Sequence, residues 1–172
     1  MRTALVIAVS EAEPAVGSWR TAHDPSAALG VPAHVTLLFP FVPREEVDAR
    51  TRSTVVDAIA RSRVAPFTSR YERIGRFPGV LYLEPEPRDM FECLIGALVD
   101  AFPTYPPYGG AFGTVVPHLT VVDDERADLD AIEASVRDGL PVVAPVAEIT
   151  WIAEGTEGWE TLETLALVSR GA

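Results

Sequence analysis

Two stretches of this chain, Pro32-Ala33-His34-Val35-Thr36-Leu37-Leu38-Phe39 and Val116-Pro117-His118-Leu119-Thr120-Val121-Val122, repeat one pattern 84 residues apart. Each has a proline upstream, a histidine, one apolar residue, a threonine and then more apolar residues. The chain has only three histidines, and two of them head these triplets. Both runs are too apolar and β-branched for surface loops, so each is expected to be a strand. On a strand, residues two apart share a face. His34 and Thr36 should therefore look out together, with Leu38, while Val35, Leu37 and Phe39 face the other way. His118 and Thr120 should do the same, opposite Leu119 and Val121. A lone histidine in such a run is usually a hydrogen-bonded core residue; the repeat argues against that here.

The repeat constrains the architecture. The motif histidines lie about half the chain apart in 172 residues, so two copies of one unit, strand, His-x-Thr strand, helix, strand, account for the whole length. The expected fold is α+β, one domain over residues 1–172 made of two pseudo-symmetric lobes. Each lobe would be a mainly antiparallel sheet with helices packed outside and a cleft between the lobes, the two motif strands face to face. The first strand should span about residues 1–9. From Glu11 to Pro32 proline and glycine punctuation predicts a loop with one short helix near Trp19 to Leu29, and His23 in a solvated turn beside Asp24-Pro25. A helix is expected from the acidic turn Pro43-Arg44-Glu45-Glu46 to Ser62, with Val47, Thr51, Val55 and Ile59 recurring at helical spacing. Strands follow over 67–74 and 79–84. A second helix begins after Pro87 with the buried stripe Phe91, Leu94, Ile95, Leu98 and Phe102. Cys93 on that helix is expected to be a packed thiol. A third helix runs from Asp128 with Leu129, Ile132, Val136 and Leu140 on one side. Two closing strands, 142–153 and 159–169, should form a hairpin across Glu154 to Gly158.

Between the second helix and the second motif, Thr104 to Gly113 is rich in Gly, Pro and aromatics and is expected to be a loop. Its aromatics, Tyr108 and Phe112 among them, could stack on a ligand or fold back onto the core.

Composition narrows the partners. The formal net charge is −11, and all 14 basic residues are arginine. A protein that holds long RNA or DNA by its backbone normally shows a basic stripe; here arginines are scattered, with a local group at Arg61, Arg63, Arg70, Arg73 and Arg76. A long nucleic acid is therefore not expected. No apolar run approaches the roughly 20 residues that span a bilayer. The short first strand lacks a cleavage signal, and the one cysteine cannot form an internal disulfide, so a cytoplasmic protein is expected; a monomer is the expected state, although no residue pattern fixes it.

Two imidazoles across a cleft supply a general base and a general acid near neutral pH. That pair suits phosphodiester chemistry: one His takes a proton from the attacking oxygen and the other gives one to the leaving oxygen. The hydroxyls of Thr36 and Thr120 can donate to non-bridging phosphate oxygens. No metal or cofactor is needed. A zinc site lacks a third ligand at suitable spacing, the Gly-x-Ser-x-Gly elbow is absent, and a Gly-x-x-x-x-Gly-Lys phosphate loop is impossible without lysine.

Paired His-x-Thr motifs with these flanks resemble the 2H phosphoesterases, and within them the bacterial 2′-5′ RNA ligase-like proteins. The likeness is specific at the two tetrapeptides and extends loosely to the first strand, to Gly79-Val80-Leu81-Tyr82-Leu83 and to the closing strands. It implies a bilobal fold and hydrolysis or reversible ligation of 2′,5′-linked or 2′,3′-cyclic phosphoesters. It also implies His34 and His118 as acid and base, Thr36 and Thr120 as phosphate ligands, and Tyr82 as a substrate-facing aromatic. The acidic charge departs from RNA-handling relatives. A small phosphoester or nucleotide, with a short RNA end as the other candidate, is the expected substrate, and a non-catalytic nucleotide-binding module is the alternative from another class.

Overall fold

A computed structural model describes residues 1–111 and 115–168. Its strands are β1 (Thr3–Ala8), β2 (His34–Leu38), β3 (Phe67–Phe77), β4 (Val80–Glu86), β5 (Leu119–Asp123), β6 (Val142–Val146), β7 (Glu148–Glu154) and β8 (Trp159–Ala166). Its helices are α1 (Glu13–His23), the single turn α2 (Pro25–Ala28), α3 (Ala49–Ser62), α4 (Arg88–Ala101) and α5 (Leu129–Arg137). The fold is α+β: the strands form one sheet in the order β6-β3-β4-β5-β2-β1-β7-β8, every neighbour pair antiparallel.

The chain order forces this sheet to curl. Only Ala147 separates β6 from β7, yet β6 is an edge strand and β7 lies six places along. In a flat sheet they would stand roughly 29 Å apart at the usual strand spacing, far beyond the reach of one linking residue. The expected two-strand hairpin is therefore corrected. Residues 142–154 are two strands on different parts of the sheet, and only β7 and β8 form the hairpin.

The motif strands are also arranged otherwise than expected. β2 and β5 lie edge to edge and meet at one register pair, Val35↔Leu119. This is the narrowest joint in the sheet.

The main core fills the sheet face that carries Val35, Leu37, Leu119 and Val121, under α1, α3 and α4. The stripe Phe91, Leu94, Ile95 and Leu98 is buried, as its spacing predicts. Helix α3 starts later than the acidic turn suggested. Residues Arg44–Glu46 form a separate 3-10 turn, and Asp48 caps the helix by accepting from the Thr51 N–H at 2.7 Å. Helix α1 falls where mainly loop was expected, because Pro14 sits in its first turn, where a missing N–H costs nothing. Cys93 points outward and is exposed, since the apolar stripe of α4 takes the opposite side.

Strict alternation fails just after each motif, and at the same place. Val6 pairs with Thr36 but Leu5 pairs with Leu38, so Leu37 is an extra residue in β2. Tyr82 pairs with Thr120 but Leu81 pairs with Val122, so Val121 is an extra residue in β5. A bulge lets two consecutive side chains share one face. Leu37 and Leu38 both enter the main core, as do Val121 and Val122. Leu38 thus leaves the His34 face, and Phe39 swings onto it, packing with Ala4, Val6, Val31, Ile152 and Trp159 in a smaller apolar cluster.

Candidate active site

Stepping one residue each way from Val35↔Leu119 in an antiparallel ladder sets His34 beside Thr120 and Thr36 beside His118. The two histidines become diagonal neighbours, about 7–8 Å apart in a regular ladder. All four side chains are half-buried and line one cavity of about 820 Å³, on the sheet face opposite the main core. The sequence-predicted quartet is therefore brought together by adjacency in the sheet.

Each imidazole is held in the same way. His34 Nδ1 lies 2.8 Å from the Pro32 carbonyl oxygen, and His118 Nδ1 lies 2.7 Å from that of Val116. A carbonyl can only accept, so in both rings Nδ1 carries the hydrogen. In the neutral ring this leaves the Nε2 lone pair available to the cavity. The upstream prolines help to build this: each carbonyl stands two residues before its histidine, where the chain enters the strand. Burial lowers the pKa of both histidines below the ordinary value. The backbone bond opposes the shift in each, and at His34 the charge of Arg20 adds to it.

Tyr108 also lines the cavity. It sits in the 3-10 turn Pro107–Gly110 with φ +52°, in the left-handed region disfavoured for side chains. Its N–H donates to the Phe39 carbonyl at 2.6 Å, which ties the loop to the end of β2. Burial raises its phenol pKa, and a hydrogen bond with Thr36 offsets part of that rise. A strained residue bonded to a motif threonine is an arrangement that functional sites favour. Phe112 lies outside the described residues.

Tyr82 shares the sheet face of its ladder partner Thr120, but it does not line the cavity. It is 7% exposed, its ring stacked on Phe77 at 4.4 Å and set edge-on to His118 at 5.3 Å. The reason is its partner across the ladder, Gly75. With no side chain there, the tyrosine ring lies down over the neighbouring strand, and a Cβ on Gly75 would overlap it. Phe77 takes the wall position and packs against His118 as well, at 5.4 Å.

His23 is likewise not a solvated turn residue. It ends α1, and its Nδ1 lies 3.0 Å from Asp124 Oδ2, a partner 101 residues away. Trp19 stacks on its ring.

Several lining residues escaped the sequence reading: Arg2, Asp24, Phe39, Phe77, Asp123 and Trp159. Phe39 and Asp123 hold equivalent places after the two bulges, and only the bulges turn them inward. Arg2 stands over the Phe39 ring at 5.4 Å and pairs with Glu154 (Nε–Oε1 2.8 Å), a contact between residues at opposite ends of the sequence.

A curled antiparallel sheet carrying two abutting His-x-Thr strands on one cavity defines a 2H phosphoesterase-like protein. The profile of the 2′-5′ RNA ligase superfamily matches residues 8–157, and the chain belongs to that superfamily. Similar solved structures include E. coli LigT complexed with 3′-AMP, at 20% identity over 96% of this chain and 97% of that one, TM-score 0.61. TT0787 of Thermus thermophilus is 20% identical over 97% and 98%, TM-score 0.65. A structure described as a phosphoesterase is 22% identical over 96% and 98%, TM-score 0.62. No curated protein matches the chain in a sequence search.

Proposed function

We propose that this chain is a metal-independent phosphoesterase in which His34 and His118 form an acid–base pair acting on a small 2′,3′-cyclic or 2′,5′-linked phosphoester. The observation that carries this reading is the matched pair of Nδ1–carbonyl bonds. They leave two Nε2 atoms beside two threonine hydroxyls on one cavity. One neutral imidazole takes the proton of the attacking water through Nε2. The water oxygen bonds to phosphorus, the bond to the leaving ribose oxygen breaks, and the other ring, protonated, gives that oxygen its proton. Thr36 and Thr120 donate to the non-bridging oxygens and hold the phosphorus in line. An anionic phosphate between the rings favours their charged forms. Its charge raises their pKa values, so that one ring takes up from solvent the proton that burial withholds in the empty site.

The same residues serve ligation when a ribose 5′-hydroxyl replaces water as the attacking group on a cyclic phosphate, and the superfamily's description as 2′-5′ RNA ligases favours this second reading. Nucleotide-sized ligands suit the cavity volume, and LigT structures hold 3′-AMP, NADP+ and ATP. The chain is taken to work as a cytoplasmic monomer, one domain whose four-strand halves on either side of the Val35↔Leu119 joint serve as the lobes.

The test is turnover of a panel of 2′,3′-cyclic nucleotides and 2′,5′-linked dinucleotides with EDTA present. The proposal expects hydrolysis undiminished by the chelator. Binding without turnover would favour a non-catalytic nucleotide-binding module, and activity abolished by EDTA would overturn the metal-independent mechanism.

A further inference from the structure

The segment Val31-Pro32-Ala33, which delivers His34 to the cavity, is gripped on both sides of the carbonyl that holds the imidazole. Behind it lies Arg20, 2% exposed although it carries a full charge. Its Nη2 donates to the Val31 carbonyl at 3.2 Å, to Ser26 Oγ at 3.1 Å and to Asp24 Oδ2 at 2.9 Å, and its Nε donates to the same Asp24 oxygen at 3.1 Å. Asp24 is itself buried and accepts from the Ser26 N–H through its other oxygen at 2.9 Å. On the far side, Glu13 Oε1 accepts from the Ala33 N–H at 2.6 Å and stands 3.5 Å from Arg20 Nη1.

The residue between these two grips is Pro32, whose carbonyl accepts from His34 Nδ1. Burying an arginine and an aspartate together is costly unless geometry and hydrogen bonding are nearly complete. An apolar pair would hold α1 against the sheet at less cost. A planar guanidinium, by contrast, can bond a carboxylate, a hydroxyl and a backbone carbonyl at once in a fixed fork. His118 has the same Nδ1–carbonyl bond, but among the described residues no side chain other than its own is seen bonded to the backbone of Val115–Pro117.

We propose that Arg20, with Glu13 and Asp24, is a positioning device for His34: it fixes the Pro32 carbonyl and so the tautomer and direction of that imidazole alone. Its catalytic consequence rests on the acid–base role given to His34 above; its structural consequence does not.

The experiment combines kinetics with imidazole ¹⁵N NMR on Arg20→Lys and Glu13→Ala. Lysine keeps the charge but cannot serve the carboxylate, hydroxyl and carbonyl together. Glu13 is 40% exposed at its side chain, so its loss leaves no buried charge in its place. Both variants should stay folded and show His34 losing its single Nδ1–H tautomer, while the His118 signals remain those of the wild type. kcat/KM on a turned-over phosphodiester should fall roughly ten- to a hundredfold, the scale of a misplaced catalytic group. If His34 shifts as expected but no diester is turned over by the wild type, the positioning stands and the proposed activity fails. An unchanged His34 tautomer in both variants, or equal changes at His34 and His118, would overturn the positioning role.

Discussion

At the scale of single residues, what matters is where two protons sit. Burial keeps both motif imidazoles below the ordinary histidine pKa of about 6.5, so both are neutral in the empty site at neutral pH. The proposed acid–base reaction needs one of them charged. The bell in kcat/KM should therefore peak on the acid side of that value. The bell in kcat should lie at higher pH, because the bound phosphate favours the imidazolium; its limbs belong to the coupled pair and not to named residues. The same shifts govern stability. Between the lowered pKa values and about 6.5 the unfolded chain binds more protons than the folded one, so stability rises with pH across that window and is lost as pH falls through it. Thermal unfolding from about pH 7 to about pH 5 should show this loss in the wild type and a smaller loss in His34→Gln/His118→Gln. An equal loss in both proteins would assign it to other groups.

At the scale of strands, the twin bulges decide which side chains reach the site. They predict that Leu38→Ala, a core truncation, destabilises by about 2–5 kcal/mol. Phe39→Ala should cost less stability and instead raise KM for an aromatic-bearing diester; denaturant unfolding and steady-state kinetics separate the two. The opposite ranking would restore simple alternation. Gly75→Val should push the Tyr82 ring off Phe77 and His118 and lower kcat/KM, up to the roughly hundredfold that a small misplacement can cost. Wild-type activity in that variant would show that the aromatic backing of His118 is dispensable. These strands also show what a sequence can reveal. His34, Thr36, His118 and Thr120 were legible because a period of two is a local signal. The extra residues Leu37 and Val121 were not, because a bulge is set by pairing with β1 and β4. Nor was the parting of β6 from β7, since the one-residue break at Ala147 carries no turn signal. His23 was misread for the same reason: its partner, Asp124, is remote in sequence.

At the scale of the whole molecule, charge sets the partner. Three of the five arginines that looked like a local basic group are answered by acids: Arg70 by Glu72, Arg73 by Glu84 and Glu86, and Arg76 by Asp130 and Glu133. With a net charge of −11, the surface offers a polyphosphate little attraction. No helix among the described residues is long and apolar enough to cross a membrane. Binding to a long structured RNA should be weak at low salt and vanish near physiological ionic strength. A fluorescence titration at two salt concentrations checks this; tight binding at the higher one would show that the paired arginines exchange their partners for phosphate.

The central claim is that the two histidines work as one relay, and a double-mutant cycle on a turned-over 2′,3′-cyclic or 2′,5′-linked substrate tests it most directly. His34→Ala and His118→Ala should each lower the rate roughly a hundred- to ten-thousandfold. The double variant should be scarcely slower than either, because a base without its acid has little left to do. Thr36→Ala and Thr120→Ala should be milder, each removing one hydrogen bond to a charged oxygen. Wild-type turnover in His118→Ala beside a dead His34→Ala would contradict the account and return the second motif to a structural role.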